Sequence, residues 1–170
     1  MPGEVKDYFK YLPQLLNQNT RLYEVALSYM FMQVERAQNM LLYCGVLKIH
    51  YANKTVARSI VDKEHLKRDT FLKLFKNIFD KELKKAIQTK IEDAQKIRDR
   101  VVHGKTAVSD AQKRKAIIDI LEYARDLNDF IEDIAGFKPF GDLRGVKGRK
   151  QPLENKTTRW LMKGLGFSLQ

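Results

Sequence analysis

The stretch IRDRVVHGK, residues 97–105, places two arginines, an aspartate and a histidine beside a glycine. The planar fork of an arginine can hold two phosphate oxygens and stabilise the charge of a pentacoordinate phosphorus intermediate. A histidine that titrates near neutrality can take the proton of a ribose 2′-hydroxyl or protonate a departing 5′-oxygen. Arg98 and His103 therefore predict RNA cleavage without a metal ion, provided that an acid and a base meet at one phosphate.

The spacing between Arg98 and His103 limits how they can meet. Residues five apart on a straight helix point in directions about 140° apart. The two side chains converge if the backbone turns near residues 102–104, if the arginine reaches across, or if a second subunit supplies one of them. One histidine does not easily serve as acid and base at once, whereas two related by a dimer axis can. Asp99, four residues before His103, is spaced to hold the imidazole and favour its protonated form.

As a bare pattern this spacing has low specificity. Arg58 and His65, in RSIVDKEH, satisfy it as well. We expect these two residues to lie in a connection between helices, so the first pair is favoured by its context at a helix end. The three histidines are widely spaced and no HExxH or paired CxxC pattern occurs, so we predict no metal site and no cofactor.

The formal net charge of +11 is unevenly distributed. Residues 48–90 hold 12 Lys and Arg against 5 Asp and Glu, and residues 138–170 hold 8 against 2. Such clusters suit a polyanionic partner, because neutralised phosphates release counterions, although a solvated lysine-rich helix face has the same composition. If the partner is RNA, the cations expected to bind it are Lys105, Lys147, Arg149 and Lys150.

The elements that must position these side chains have the helical period almost throughout. Thr20 is expected to cap a long helix whose apolar stripe begins Leu22, Val25, Tyr29, Met32. Asp80 is expected to cap the helix that carries Arg98. Ser109 and Gln112 form a capping-box pattern that opens the last long helix, and Gly136 is a natural stop for it.

These patterns predict an all-α, up-and-down helical bundle over residues 1–136, followed by a basic, glycine-containing C-terminal extension over 137–170. Within the extension, TTRWLMK is expected to form a short helix anchored by Trp160, Leu161 and Met162. No apolar run is long enough for a membrane span, the N-terminus does not resemble a signal peptide, and one cysteine excludes an internal disulfide framework. We therefore expect a cytoplasmic protein without a membrane partner.

RDRVVHG resembles the signature of the HEPN superfamily (higher eukaryote and prokaryote nucleotide-binding domains). That signature is an arginine, four to six residues and a histidine, often with a polar residue directly after the arginine. Its place near the end of one long helix, before the last helix of a bundle, is similar too. The resemblance implies that Arg98 and His103 are the catalytic pair, with Asp99 and Arg100 as supporting residues. One subgroup has a tyrosine two positions after the histidine that a partner nucleotidyltransferase modifies, whereas this chain has Lys105 there.

The resemblance further implies a homodimer with both motifs facing a shared cleft, and a metal-independent ribonuclease of a toxin–antitoxin, abortive-infection or related defence system. An antitoxin or a nucleotidyltransferase is then an expected partner. Two alternatives are retained. One is a non-catalytic HEPN-like helical scaffold that binds a partner protein, and the other is a basic nucleic-acid-binding bundle in which Arg98 and His103 are structural.

Overall fold

The computed structural model describes residues 1–18, 22–64, 66–104, 107–143, 146, 148 and 150–169. Within these ranges the chain forms eight helices and no strand, which confirms the predicted all-α class. The helices are α1 (Gly3–Tyr8), α2 (Leu12–Leu16), α3 (Tyr23–Lys48), α4 (Lys54–Val61), α5 (Arg68–Phe79), α6 (Lys85–His103), α7 (Asp110–Ala135) and α8 (Asn155–Leu165). None of these helices has both the length and the apolar character needed to cross a lipid bilayer, among the residues described.

Three long helices form the centre of the bundle. Helix α7 packs along α6 and also against α3, and the short connection between α6 and α7 makes these two antiparallel neighbours. Residues on their facing sides are fully buried, among them Leu41, Leu42, Ile120, Tyr123 and Leu127. This core fixes α6, the helix that carries the Arg–His motif.

Several helix ends follow the sequence signals. The side chain of Ser109 accepts a hydrogen bond from the Gln112 backbone N–H, and the Gln112 side chain accepts one from the Ser109 backbone, so the predicted capping box is confirmed. Gly136 ends α7 in a left-handed conformation at φ 65°, also as predicted. The predicted role of Asp80 is wrong: it ends α5 in a left-handed conformation, and α6 begins only at Lys85.

At the start of α3, the side of the helix that is buried differs from the side that the sequence pattern predicted. Thr20 lies outside the described residues, and the helix begins at Tyr23 with Leu22 in the capping position. Val25 and Met32 are 51% and 57% exposed, so the predicted stripe is wrong at these two positions. Helix α3 is apolar around most of its circumference, and periodicity alone therefore does not identify the side that packs. The residues buried along this part of α3 are Tyr23, Ala26, Leu27, Met30, Phe31 and Val34.

A short helix, α4, occupies part of the region expected to be a connection. Asn53 caps it, because its side-chain oxygen accepts hydrogen bonds from the backbone N–H groups of Thr55 and Val56. Its buried residues lie on one side of the helix and are Val56, Ala57, Ile60 and Val61. The expected connection around Arg58 is thus wrong.

The described residues after Gly136 join the same core as the earlier helices. Asn128, itself buried, accepts a hydrogen bond from the Phe140 N–H (2.8 Å) and donates one to the Phe140 carbonyl (3.0 Å). The short helix predicted from TTRWLMK is present as α8, but its anchor is not Trp160, which is 65% exposed. The buried residues of α8 are Thr158, Met162 and Leu165.

Candidate active site

Helix α6 turns its apolar stripe toward α3 and α7 and carries Arg98 at the edge of that stripe. Ile87, Ile91 and Ala94 are buried, whereas the Arg98 side chain is 37% exposed. The Nε of Arg98 is buried and has no hydrogen-bond partner among the described residues. An orphaned buried donor is costly, because its lost hydration is not replaced. The exposed part of the guanidinium, and not this buried atom, is what an acceptor such as a phosphate oxygen can approach.

Two neighbours hold the guanidinium of Arg98 in place. Its Nη1 donates to Asp99 Oδ1 at 3.2 Å, and its central carbon lies 5.6 Å from the centroid of the Phe31 ring on α3. The second contact has cation–π geometry and orients the guanidinium against α3. Arg98 is thus positioned by the packing of α6 on α3.

A cleft of about 210 Å³ opens beside this arginine. Besides Arg98, its charged lining residues are Lys67 and Arg68, at the start of α5, and Glu35 on α3. Three cations therefore face one carboxylate, although Arg68 also pairs with Glu92 outside the cleft. The charge of this cleft suits a phosphate group.

His103 is the last residue of α6, and it is exposed. It makes no hydrogen bond or ion pair with any residue that the structure describes. The expected support of His103 by Asp99 is not seen among the described contacts, since the Asp99 carboxylate lies against Arg98 instead. An adjacent arginine with a long side chain reaches the short carboxylate more easily than an imidazole one turn away.

The backbone of α6 does not bring Arg98 and His103 together. The helix continues to His103 and ends only at Gly104, which adopts the left-handed conformation at φ 61°. The two side chains therefore keep the divergence of about 140° expected for residues five apart. Three ways of bringing these side chains together were considered from the sequence, and a backbone turn between the two residues is ruled out. The arginine side chain reaching across the helix, or a second subunit supplying one of the two residues, are the ways that are left.

The other predicted site residues are dispersed. Arg100 donates through Nη2 to the Ala107 carbonyl at 3.5 Å, which ties the end of α6 to the following connection. Lys150 is exposed and lines a cavity of about 490 Å³ at the start of α4, together with Asn53 and Lys54. Three predicted RNA-binding residues lie outside the described ranges, namely Lys105, Lys147 and Arg149.

The competing arginine, Arg58, is held within its own part of the bundle. Its Nε pairs with Asp62 Oδ2 at 2.7 Å, its Nη1 approaches the Met40 sulfur at 3.1 Å, and its guanidinium lies over the Tyr43 ring at 5.3 Å. His65 lies outside the described residues. Arg58 therefore serves as a matched control for Arg98 in the experiments below.

The sequence motif did not identify the residues that complete the Arg98 cleft. Phe31 and Glu35 come from α3, and Lys67 and Arg68 from the start of α5, far from Arg98 in sequence. The only sequence signal for this group was the excess of positive charge over residues 48–90.

The described fold and site define an all-α bundle with an Arg–His pair on one uninterrupted helix. Among the described residues, no group of three or more His, Cys, Asp or Glu side chains is arranged to hold a metal ion. Comparison with family models, curated proteins and solved structures gives no match. The resemblance to the HEPN superfamily therefore rests on the motif and its place in the helical order.

Proposed function

We propose that this protein is a metal-independent endoribonuclease of the HEPN type, acting as a cytoplasmic homodimer in a toxin or phage-defence system. One observation carries the proposal. Arg98 lines a basic cleft with a partly exposed guanidinium, on the same unbroken helix as an exposed histidine. The first group suits a phosphate, and the second suits proton transfer.

The reaction needs one proton removed and one supplied. His103 takes the proton of the ribose 2′-hydroxyl, and the 2′-oxygen then attacks phosphorus. The bond from phosphorus to the 5′-oxygen breaks, and the leaving oxygen takes a proton from a second imidazolium. Arg98 stabilises the negative charge of the pentacoordinate intermediate. The products are a 2′,3′-cyclic phosphate and a 5′-hydroxyl.

The geometry of α6 supports a dimeric site. Within one chain the helix directs Arg98 and His103 apart, and one histidine per site supplies only the acid or the base. A second copy related by a twofold axis contributes both a second His103 and a second Arg98 to the same cleft.

Cleavage of RNA in the presence of EDTA tests the proposal directly. The wild-type protein should cut a structured RNA and leave cyclic-phosphate or 3′-phosphate ends, and Arg98→Ala and His103→Ala should abolish cleavage while retaining helical circular dichroism. Arg58→Ala is the matched control and should cleave normally. Toxicity on expression should likewise disappear with His103→Ala. If the Arg98 and His103 variants cleave like the wild type, the proposal is wrong.

A mixing experiment tests the shared site. When wild-type and His103→Ala chains are co-expressed in equal amounts, random pairing leaves about a quarter of the dimers with two histidines. If both histidines are needed, cleavage per chain should fall to about a quarter of the wild-type value, whereas independent sites predict about a half.

A second candidate function is a basic nucleic-acid-binding bundle without catalysis. It is favoured by the contacts of Arg98 with Asp99 and Phe31, which already give the guanidinium a structural role. Under this function no RNA is cleaved, and salt-dependent RNA binding persists in Arg98→Ala and His103→Ala.

A further inference from the structure

Helix α8 has one packed side and one basic, aromatic side. The packed side is held on α4 and α5, and the exposed side carries Lys156, Arg159, Trp160 and Lys163. We call these four residues the α8 face. Helix α8 contains no acidic residue, and Glu154 only precedes it at the capping position.

Trp160 is not needed to attach α8 to the bundle. Its side chain is 65% exposed, whereas Thr158 and Met162 are fully buried. The Nζ of Lys156 lies 5.0 Å from the Trp160 ring centroid. The indole is therefore presented to solvent beside a cation, a combination found where proteins bind single-stranded nucleic acid.

The cations of the α8 face have no acidic partners among the described residues, in contrast to many other cations of the bundle. Lys90 pairs with both Glu122 and Asp126, and Lys113 pairs with Glu24. No described carboxylate pairs with Lys156, Arg159 or Lys163 in this way.

Glu64, whose carboxylate contacts the segment that follows α8, is also occupied. Glu64 accepts a hydrogen bond from the Ser168 N–H at 2.9 Å. The α8 face thus keeps its positive charge for an external anion.

We propose that the α8 face binds single-stranded RNA, with an unstacked base on Trp160 and phosphates on the flanking Lys156 and Lys163. The two lysines are seven residues apart, so they lie about 10 Å apart along the helix with the indole between them. A strand can then cross the helix with one cation on each side of the stacked base. This inference rests on the proposed function, because it takes RNA to be the substrate of the protein.

The alternative anionic surfaces fit less well. In a duplex, base stacking leaves no free base face for Trp160. Helices that bind a membrane surface insert a broad apolar side, whereas the apolar side of α8 is already buried against α4 and α5. Only Trp160 and the half-buried Leu161 are left for a lipid surface.

Trp160 is the only tryptophan of the chain, so its fluorescence reports directly on this face. The wild-type protein is titrated with a single-stranded 2′-O-methyl oligonucleotide, which lacks the 2′-hydroxyl nucleophile and stays intact. We expect saturable quenching of the fluorescence. If two or three phosphates are neutralised, a plot of the logarithm of the association constant against the logarithm of the salt concentration should have a slope of roughly −1.5 to −2.

Two variants test the residues, with the affinity measured by anisotropy of a labelled oligonucleotide. Trp160→Ala should weaken binding about 5- to 150-fold, the range that corresponds to loss of one base–aromatic stack. The matched control is Tyr11→Ala, because Tyr11 is also exposed (49%) and has Lys10 Nζ at 4.8 Å from its ring centroid. This control should bind like the wild type.

The inference is overturned if Trp160→Ala binds the oligonucleotide as tightly as the wild type does. It is also overturned if an RNA duplex quenches the Trp160 fluorescence as strongly as the single strand, or if anionic phosphatidylserine vesicles quench it and the oligonucleotide does not. Its failure is separable from failure of the proposed function. Binding through Trp160 without cleavage by the wild-type protein contradicts the ribonuclease alone. If cleavage depends on His103 but Trp160→Ala binds RNA with unchanged affinity, only the proposed RNA binding by the α8 face is contradicted.

Discussion

The guanidinium of Arg98 lies over the ring of Phe31, with 5.6 Å between its central carbon and the ring centroid. This contact joins α6, which carries the motif, to α3, one of the two 26-residue helices packed against it. It also sets the edge of the cleft that Lys67 and Arg68 share. The position of the candidate phosphate-binding group is therefore a property of the helix packing.

Arg98→Lys tests whether the fork, and not only the charge, is needed. Lysine keeps the charge but loses the paired donors, so the cleavage rate should fall about 100- to 1,000-fold. Stability should change by less than about 1 kcal/mol, because Arg98 is partly exposed and its contacts are individually weak. Single-turnover cleavage and thermal unfolding measure the two effects. Arg58→Lys is the control, and an unchanged rate in Arg98→Lys would contradict the assigned role.

Gly45→Ala should destabilise the protein by about 1–3 kcal/mol, because added atoms overpack the core. A Cβ at this position of α3 would lie 2.7 Å from the Phe79 ring and 2.8 Å from Ile78 Cγ2. Gly164→Ala is the matched control. This glycine is in α8 with nothing within 4 Å of an added Cβ, so alanine should stabilise the protein by about 0.5–1 kcal/mol through helix propensity. Urea unfolding measures both, and equal effects of the two changes would refute the close α3–α5 contact.

Asn128→Leu should cost about 2–4 kcal/mol, because it leaves the buried N–H and carbonyl of Phe140 without partners. Leucine has a similar volume, so the loss reports mainly on hydrogen bonding. Asn155→Ala, at an exposed position, should change stability by less than about 0.5 kcal/mol. Urea unfolding with a single transition is the measurement. A negligible loss in Asn128→Leu would show that the segment at Phe140 is not fastened to α7 in this way.

Stability should fall at alkaline pH. Burial raises the pKa of the Cys44 thiol from 9.0 to about 11, so the unfolded chain loses this proton first. The stabilising contribution is complete below pH 9 and is lost as pH rises toward 11, a change of about 2–3 kcal/mol. Burial also raises the pKa of Tyr8 to about 12 and that of Tyr123 still further, which extends the loss above pH 10.

The difference in the free energy of unfolding between the wild type and Cys44→Ala isolates the contribution of the thiol to the pH dependence. The alanine variant should be less stable at pH 8, and its stability should decline less steeply than that of the wild type between about pH 9 and pH 11. Urea unfolding at several pH values gives both slopes. Parallel slopes would contradict the burial of an ionisable thiol at this position.

Local signals were enough to predict several features of the chain. The capping box at Ser109 and the left-handed helix end at Gly136 involve hydrogen bonds and backbone angles within a few residues. Asp80 shows the limit of such signals, because the same residue type suits a helix start and a left-handed helix end. The choice between them depends on where Leu83 and the following helix find room to pack.

The sequence by itself determined the all-helical class, the capping box at Ser109, the helix end at Gly136, and an arginine and a histidine near the end of one helix. Tertiary structure alone decided that Val25, Met32 and Trp160 face solvent, because each helix with more than one apolar side buries the side that its neighbours cover. It also decided that Asp99 contacts Arg98 and that Phe31, Lys67 and Arg68 surround the same cleft. Residues distant in the chain meet only after the helices pack, and that meeting is what turns a seven-residue motif into a candidate phosphate site.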